Sequence, residues 1–182
     1  MMTYMTRRSI GETAQDLDTT TLGYQRDQAL VLLDFMTGIR EADDHPMSRG
    51  WLGHEYFLGI YGMMLSMEWH MNRGFADKLF WNFERACKEI KNGDPDVNLM
   101  PPPWFKDVAV LRSHRSALYR RKPDHYGELW SVLDDDWPVI WPVIDEDEED
   151  GYRLVLSKED KDRLKSGERS LPKDVLARIS NV

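Results

Sequence analysis

The basic residues of this acidic chain are concentrated in one short stretch. The 182 residues carry a net charge of −8, yet residues 111–126 hold five cations and a single acid, Asp124. Such clustering adds nothing to the solubility of an acidic protein, so it predicts either an anionic partner, with phosphate as the first candidate, or a structural role for the cations. The predicted phosphate-binding residues are Arg112, Arg115, Arg120, Arg121 and Lys122, with His114 and His125 able to add charge.

The histidines and the single cysteine do not predict a metal site. None of the five histidines lies three or four residues from another, and Cys87 has no second cysteine to share a ligand position with. Zinc and iron sites typically need such pairs. The chain also lacks a glycine-rich phosphate loop and a Gly-x-Ser-x-Gly turn. We therefore expect neither a metal nor a cofactor.

The composition favours a packed intracellular protein. Hydrophobic residues make up 41% of the chain, which includes 7 Trp and 10 Met, and this is typical of a globular core. No apolar run approaches the roughly 20 residues that cross a bilayer, and the first residues lack the apolar segment of a signal peptide. With one cysteine no internal disulfide can form. We expect a cytoplasmic protein without membrane contact.

The spacing of apolar residues predicts an all-α fold, a compact multi-helix bundle. Ser9 and Glu12 have the spacing of a capping box. Gly38, Gly74 and Gly93 are predicted to end helices. The fifth predicted helix carries the basic residues, and its periodicity places Arg115 on the inner face, either against a core carboxylate or in a cleft. The predicted helices cover residues 9–17, 21–36, 49–73, 76–92 and 105–122, followed by a short helix from Pro123.

The last third of the chain predicts less regular structure. Trp-Pro-Val-Ile occurs twice in residues 137–144, and two prolines in eight residues favour an extended strap. The six acids of residues 145–150 predict a solvated linker. Residues 151–182 then form an appendage with a strand at 152–156 and helices opened by Ser157 and Pro172. The expected organisation is a helical domain at 1–144, a linker at 145–150 and an appendage at 151–182.

Seven short motifs between residues 3 and 143 occur in an order that resembles a known family. That family, found in bacteria and phages, comprises pyrimidine-dimer DNA glycosylases. The motifs are Leu17-Asp18, Leu22-Gly-x-Gln-Arg26, Arg73-Gly-Phe75, Pro102-Pro-Trp104, Arg112-Ser-His-Arg-Ser-x-Leu118, Lys122-Pro-Asp-His-Tyr126 and Trp141-Pro-Val143.

The resemblance implies a protein that binds double-stranded DNA, bends it and displaces a base to reach the sugar. The implied activity is base excision at damaged or modified pyrimidines by a DNA glycosylase/AP lyase. In that mechanism the free α-amine of the chain attacks the sugar and forms an imine. Here the amine would be that of Met1, Arg26 matches the helix-two arginine, and Gln28 stands where the family commonly has Glu. An amide can form hydrogen bonds but cannot exchange a proton.

Three functions remain open from the sequence. The first is an active glycosylase/lyase of the pyrimidine-dimer type. The second is a DNA-binding descendant that has lost catalysis and recognises distorted or modified DNA. The third is an interaction factor in which residues 145–182 engage a protein partner and the basic stretch neutralises the acidic tail internally.

Overall fold

The computed structural model describes residues 3–41, 46–130 and 136–179, and they are mostly helical. The predicted helical class is confirmed at that level. The helices are α1 Ile10–Asp16, α2 Thr19–Met36, α3 Pro46–Gly50, α4 Glu55–Met67, α5 Leu79–Gly93, α6 Val108–Arg121, α7 Pro123–Leu129, α8 Lys158–Lys165 and α9 Lys173–Ala177. The strands are β1 Trp141–Ile144 and β2 Tyr152–Val155. In these ranges no helix combines the length and apolar character needed to cross a membrane.

The first two helices begin where the sequence predicts caps. Ser9 Oγ accepts a hydrogen bond from the Glu12 N–H at 3.4 Å, which opens α1. The Asp18 carboxylate accepts from the N–H groups of Thr20 and Thr21, so α2 begins at Thr19, two residues earlier than predicted. A side-chain acceptor at the N-cap is worth about 1 kcal/mol, because it satisfies amides that have no partner inside the helix.

The long helix predicted over residues 49–73 is interrupted near its start. The chain turns between the end of α3 at Gly50 and the start of α4 at Glu55, with Gly53 at φ +72°, a conformation that favours glycine. At its other end α4 runs into a π-helical turn, Glu68–Asn72. Gly74 follows at φ +73° and ends the segment, as predicted.

Close packing of α4 on α5 depends on two glycines in α4. A Cβ atom at Gly59 would overlap Cys87 Sγ, and one at Gly62 would overlap the ring of Phe83. The absence of side chains at these positions lets the two helices approach closely, so the aromatic ring and the thiol of α5 fill the space. The predicted stop at Gly93 is the last residue of α5.

The acidic run connects two strands of one small sheet. Strands β1 and β2 pair antiparallel, with Trp141 opposite Val155, and residues 145–150 form the turn between them. Leu154, Leu171 and Val175 are buried in the same core cluster as the helices. The predicted linker is therefore an ordered hairpin turn, and the predicted appendage packs on the helical body. Its predicted strand and its helices after Ser157 and Pro172 are present as β2, α8 and α9.

Candidate nucleic-acid interface

An extended segment before α1 is buried between α2 and α6. Residues 3–6 are all buried. The Tyr4 N–H donates to Gln25 Oε1 on α2 at 2.7 Å, and Tyr61 Oη donates to the Tyr4 carbonyl at 2.9 Å. Thr3 Oγ1 accepts a hydrogen bond from the Trp51 indole N–H at 2.9 Å. The segment therefore has fixed positions on α2 and on the turn before α4.

The same segment is held on its other side by three of the predicted DNA-binding residues. Each of these residues lies on α6 and forms a hydrogen bond with a different residue of the segment, so the beginning of the described chain runs beside the basic helix. The bonds join the Met5 N–H to His114 Nδ1 (3.0 Å), Arg115 Nε to the Thr6 carbonyl (2.7 Å) and Arg121 Nη1 to Tyr4 Oη (3.1 Å).

His114 is a core residue of α6. Its side chain is fully buried, and burial lowers its pKa to about 4, although the hydrogen bond from Met5 acts in the opposite direction. Since Nδ1 accepts that bond, the proton of the neutral ring sits on Nε2, which is buried without a partner in the described residues. A fully buried imidazole offers no surface to phosphate. The sequence-based assignment of His114 to DNA contact is corrected accordingly.

The buried neutral His114 should make stability depend on pH. Its folded pKa lies below the usual value of 6.5, so between about pH 6.5 and 4 the unfolded chain binds a proton that the folded protein excludes. As the pH falls across that window, the free energy of unfolding should fall by about 1.4 kcal/mol per pH unit, about 3 kcal/mol in all. Urea unfolding of the wild type and His114→Asn at several pH values measures it. Equal pH slopes in the two proteins would contradict the expectation.

The side of α6 that faces solvent includes Arg115, which the periodicity predicted on the inner face. Val108 is 62% exposed, whereas Ser113 and Ser116 are fully buried. Small residues face inward because neighbouring segments pack closely there, and Ser113 Oγ accepts a hydrogen bond from the Ile140 N–H. The helix is open along the row Val108, Arg112, Arg115, Tyr119 and Lys122, whose members are three or four residues apart.

Arg112, Arg115 and Arg121 keep uncompensated charges. Arg112 lies 4.5 Å above the ring of Trp137, while Arg115 and Arg121 donate to the neutral oxygens described above. None of the three makes an ion pair with a described carboxylate. Burial and the charge of Arg7 lower the pKa of Arg115; the charge of Asp16 opposes this shift and that of Arg112 adds to it. We call these three side chains the basic surface.

The remaining basic residues of the stretch have structural partners. Lys122 forms an ion pair with Asp18 at 2.9 Å. Burial disfavours the charge on Asp18, but hydrogen bonds from Lys122, Thr21 and Tyr126 outweigh it and hold its pKa below the usual range. Arg120 donates to the Trp137 carbonyl at 2.7 Å. His125 Nε2 lies 3.1 Å from the Asp16 carbonyl. The contacts of Lys122 and His125 fasten α6 and α7 to the junction of α1 and α2, and the contact of Arg120 fastens α6 to the segment before β1.

Tyr24 of α2 lies close enough to Arg121 to affect its pKa. The hydrogen bond to Tyr4, with smaller contributions from Tyr24 and Tyr126, raises the pKa of Arg121. Tyr24 is 46% exposed, and Gln28 is half-buried one helical turn later on the same side of α2. Tyr24 was not predicted as a site residue; exposure of an aromatic ring beside a guanidinium is visible only in the folded chain.

Arg26 lies on another side of α2 and is committed to a buried ion pair. Its Nη2 is 2.7 Å from Asp77 Oδ1, and both side chains are less than a tenth exposed. The guanidinium also lies 4.6 Å from the centre of the Trp69 ring. At about 100° per residue, Gln28 is displaced by about 200° around α2 from Arg26. The predicted catalytic pair is therefore not brought together, and Met1 lies outside the described residues.

Several residues that carry the family resemblance hold the fold together. Asp18 and Tyr126 are joined by a hydrogen bond of 2.8 Å across 108 positions of the sequence. Arg73 pairs with Glu68 and donates to the Leu17 carbonyl, which ties the turn after α4 to the end of α1. No group of three or more His, Cys, Asp or Glu that could hold a metal occurs in residues 3–41, 46–130 and 136–179.

The geometry identifies the open side of α6, with Tyr24 of α2, as the candidate interface for an anionic partner. Comparison of the chain with protein-family models, curated proteins and solved structures finds no match.

Proposed function

We propose that the protein binds duplex DNA and places the phosphate backbone against the basic surface of α6. The observation that carries the proposal is that two of its members, Arg115 and Arg121, make no ion pair with a described carboxylate. A guanidinium has five N–H donors, and Arg115 and Arg121 each use one on a neutral oxygen. Phosphate oxygens are the acceptors that suit the remaining donors and the charge.

The length of the basic surface favours a polymeric anion over a single phosphate. Arg115 and Arg121 are six residues apart on α6, which corresponds to about 9 Å along the helix axis. A duplex presents between about two and three base pairs over that distance, with phosphates on both strands. The resemblance to pyrimidine-dimer glycosylases, which act on duplex DNA, supports the same partner.

The geometry favours DNA binding without the imine chemistry that the resemblance implies. Arg26 is buried in its pair with Asp77, and Gln28 projects from another side of α2. An amide at that position also cannot exchange a proton. Of the three functions open from the sequence, the DNA-binding descendant without catalysis is therefore the one we propose.

Duplex binding is tested by fluorescence anisotropy with a labelled duplex at several salt concentrations. Contacts to at least two phosphates should give a log–log slope of the association constant against salt of about −1.8 or steeper, because each contact releases about 0.9 counterion. Affinity should vary little with base sequence, since phosphate contacts carry no sequence information. A protein that fails to bind the duplex at about 50 mM salt would overturn the proposal.

The absence of catalysis is tested in parallel with a duplex that contains an abasic site. The wild-type protein should give no covalent adduct when borohydride is present, because Arg26 is held by Asp77 and Gln28 has no carboxylate, so neither group can assist the attack of an amine on the sugar. Gln28→Glu restores a carboxylate where the resembled family has one and serves as the comparison. An adduct with the wild-type protein would show that imine chemistry survives and would favour the enzyme instead.

A further inference from the structure

A groove separates the first turn of α6 from the C-terminal part of the chain. It encloses about 610 Å³, with Arg112 on one wall and Asp150 and Asp174 on the other. Asp150 ends the acidic turn of the β-hairpin, and Asp174 lies in the first turn of α9. The groove therefore brings the acidic C-terminal part against one end of the basic surface.

The charges in the groove are not balanced. Asp107, Tyr152 and Arg178 also line it, and they bond to one another: Arg178 pairs with Asp107, and Tyr152 donates to the same carboxylate. Counting all ionised groups of the lining, Arg112 and Arg178 stand against Asp107, Asp150 and Asp174, which leaves −1. A phosphate that approached Arg112 would meet this negative field.

The acidic turn is held in place next to α6. Asp145 pairs with Arg153 at 3.1 Å, and the Asp145 N–H donates to the Gly151 carbonyl at 3.1 Å, which closes the hairpin. Gly151 has φ +73°, and a Cβ built on it would lie 3.6 Å from Pro103, just before α6. Of the exposed acids in the turn, Asp150 lines the groove together with Arg112, and Glu148 and Glu149 line the neighbouring recess on the side of Arg178.

We infer that the acidic hairpin is an electrostatic barrier that ends the DNA path between Arg112 and Arg115. The inference rests on the proposed function and adds where on α6 the phosphates bind. They bind at Arg115 and Arg121, and the hairpin acids repel them from Arg112. Repulsion operates across the groove because its size is on the order of the Debye length, about 8 Å at physiological salt. A barrier of this kind restricts the register in which DNA lies along α6.

Neutralising the hairpin should therefore strengthen DNA binding. In Glu148→Gln/Glu149→Gln/Asp150→Asn the side chains keep their size, and the net charge changes from −8 to −5. We expect a duplex Kd about five- to tenfold lower at 50 mM salt. The salt slope should steepen by about 0.9, since Arg112 gains a phosphate. The matched control is Glu89→Gln/Asp94→Asn/Asp96→Asn, which removes three exposed acids on or after α5 and should change Kd less than twofold.

Equal changes in the two triple variants would overturn the barrier, because the effect would then reflect net charge alone. No change in either variant would also overturn it while leaving DNA binding itself intact. If neither the wild type nor the hairpin variant bound DNA, the proposed function and the inference would both fail, and the wild-type measurement alone would reveal the first failure.

Arg112 provides an independent measurement of the same barrier. Arg112→Gln should weaken duplex binding less than twofold with the native hairpin, because the acids already keep phosphate away. In the neutralised hairpin the same substitution should cost about fivefold or more. An equal cost in the two backgrounds would show that Arg112 contacts DNA regardless of the hairpin and would overturn the inference.

Discussion

Asp77→Ala is expected to lower the free energy of unfolding by about 3–5 kcal/mol, because it leaves the Arg26 guanidinium buried without its counter-charge. The Arg26 side chain is 7% exposed and that of Asp77 is 4% exposed, so water cannot replace the lost partner. Asp77 Oδ1 also accepts hydrogen bonds from the N–H groups of Leu79 and Phe80 at the start of α5. Loss of those bonds adds about 1 kcal/mol.

Urea denaturation of a set of variants separates these contributions. Asp77→Asn keeps an acceptor for the α5 amides and removes only the charge, so its cost should be smaller than that of Asp77→Ala. Arg26→Met/Asp77→Ala should recover part of the stability, because no buried charge then remains. Glu84→Ala, which breaks the exposed pair with Lys88, should cost less than about 1 kcal/mol. A similar small cost for Asp77→Ala would mean that Arg26 is hydrated and available for another role.

The local features of the fold could be predicted because each depends on a few neighbouring residues. Ser9 and Asp18 cap α1 and α2, and Gly74 takes the left-handed conformation that ends the segment after α4. Ser157 opens α8 in the same way. In each case the side chain that satisfies the free amides, or the residue that tolerates a positive φ, is within four positions of the helix end.

The interruption between α3 and α4 could not be predicted from hydrophobic spacing. Trp51 and Leu58, on either side of it, are both fully buried, so the apolar pattern continues although the helix does not. Gly53 was the available signal, but glycines within α4 at positions 59 and 62 serve close packing instead. A glycine can thus either interrupt a helix or allow close packing within it, and the sequence alone does not distinguish these two roles.

The roles of the candidate site residues depend on contacts between distant parts of the chain. Arg26 meets Asp77, and His114 meets Met5, which lies 109 positions away. Charge clustering in the sequence singled out one helix as the candidate interface, yet it could not tell a guanidinium stacked on Trp137 from a lysine paired with Asp18. What separates the basic surface from Lys122 is the location of one carboxylate, Asp18, and the fold alone determines that.

Arg115→Gln/Arg121→Gln is expected to weaken duplex binding about 100-fold at low salt, if each guanidinium contributes about 1.4 kcal/mol to the phosphate contacts. Glutamine can still donate to the Thr6 carbonyl and the Tyr4 hydroxyl, which are the neutral partners of the two arginines. Stability should consequently change little, and the free energy of unfolding by urea verifies this. The salt slope should become shallower by about 1.8, since two phosphate contacts are lost.

A matched double variant on α5 distinguishes a local contact from a general charge effect. Arg85→Gln/Lys88→Gln removes the same charge from two side chains that are 71% and 68% exposed, and it should weaken binding less than threefold with an unchanged slope. If both double variants lost affinity equally, the guanidinium groups of α6 would contribute no more to DNA binding than other exposed cations. Because the net charge of −8 repels DNA, binding near physiological salt cannot come from the average charge of the protein. Binding that persists there, and that only the α6 substitutions remove, therefore requires a localised surface on which the positive potential exceeds the surrounding negative charge.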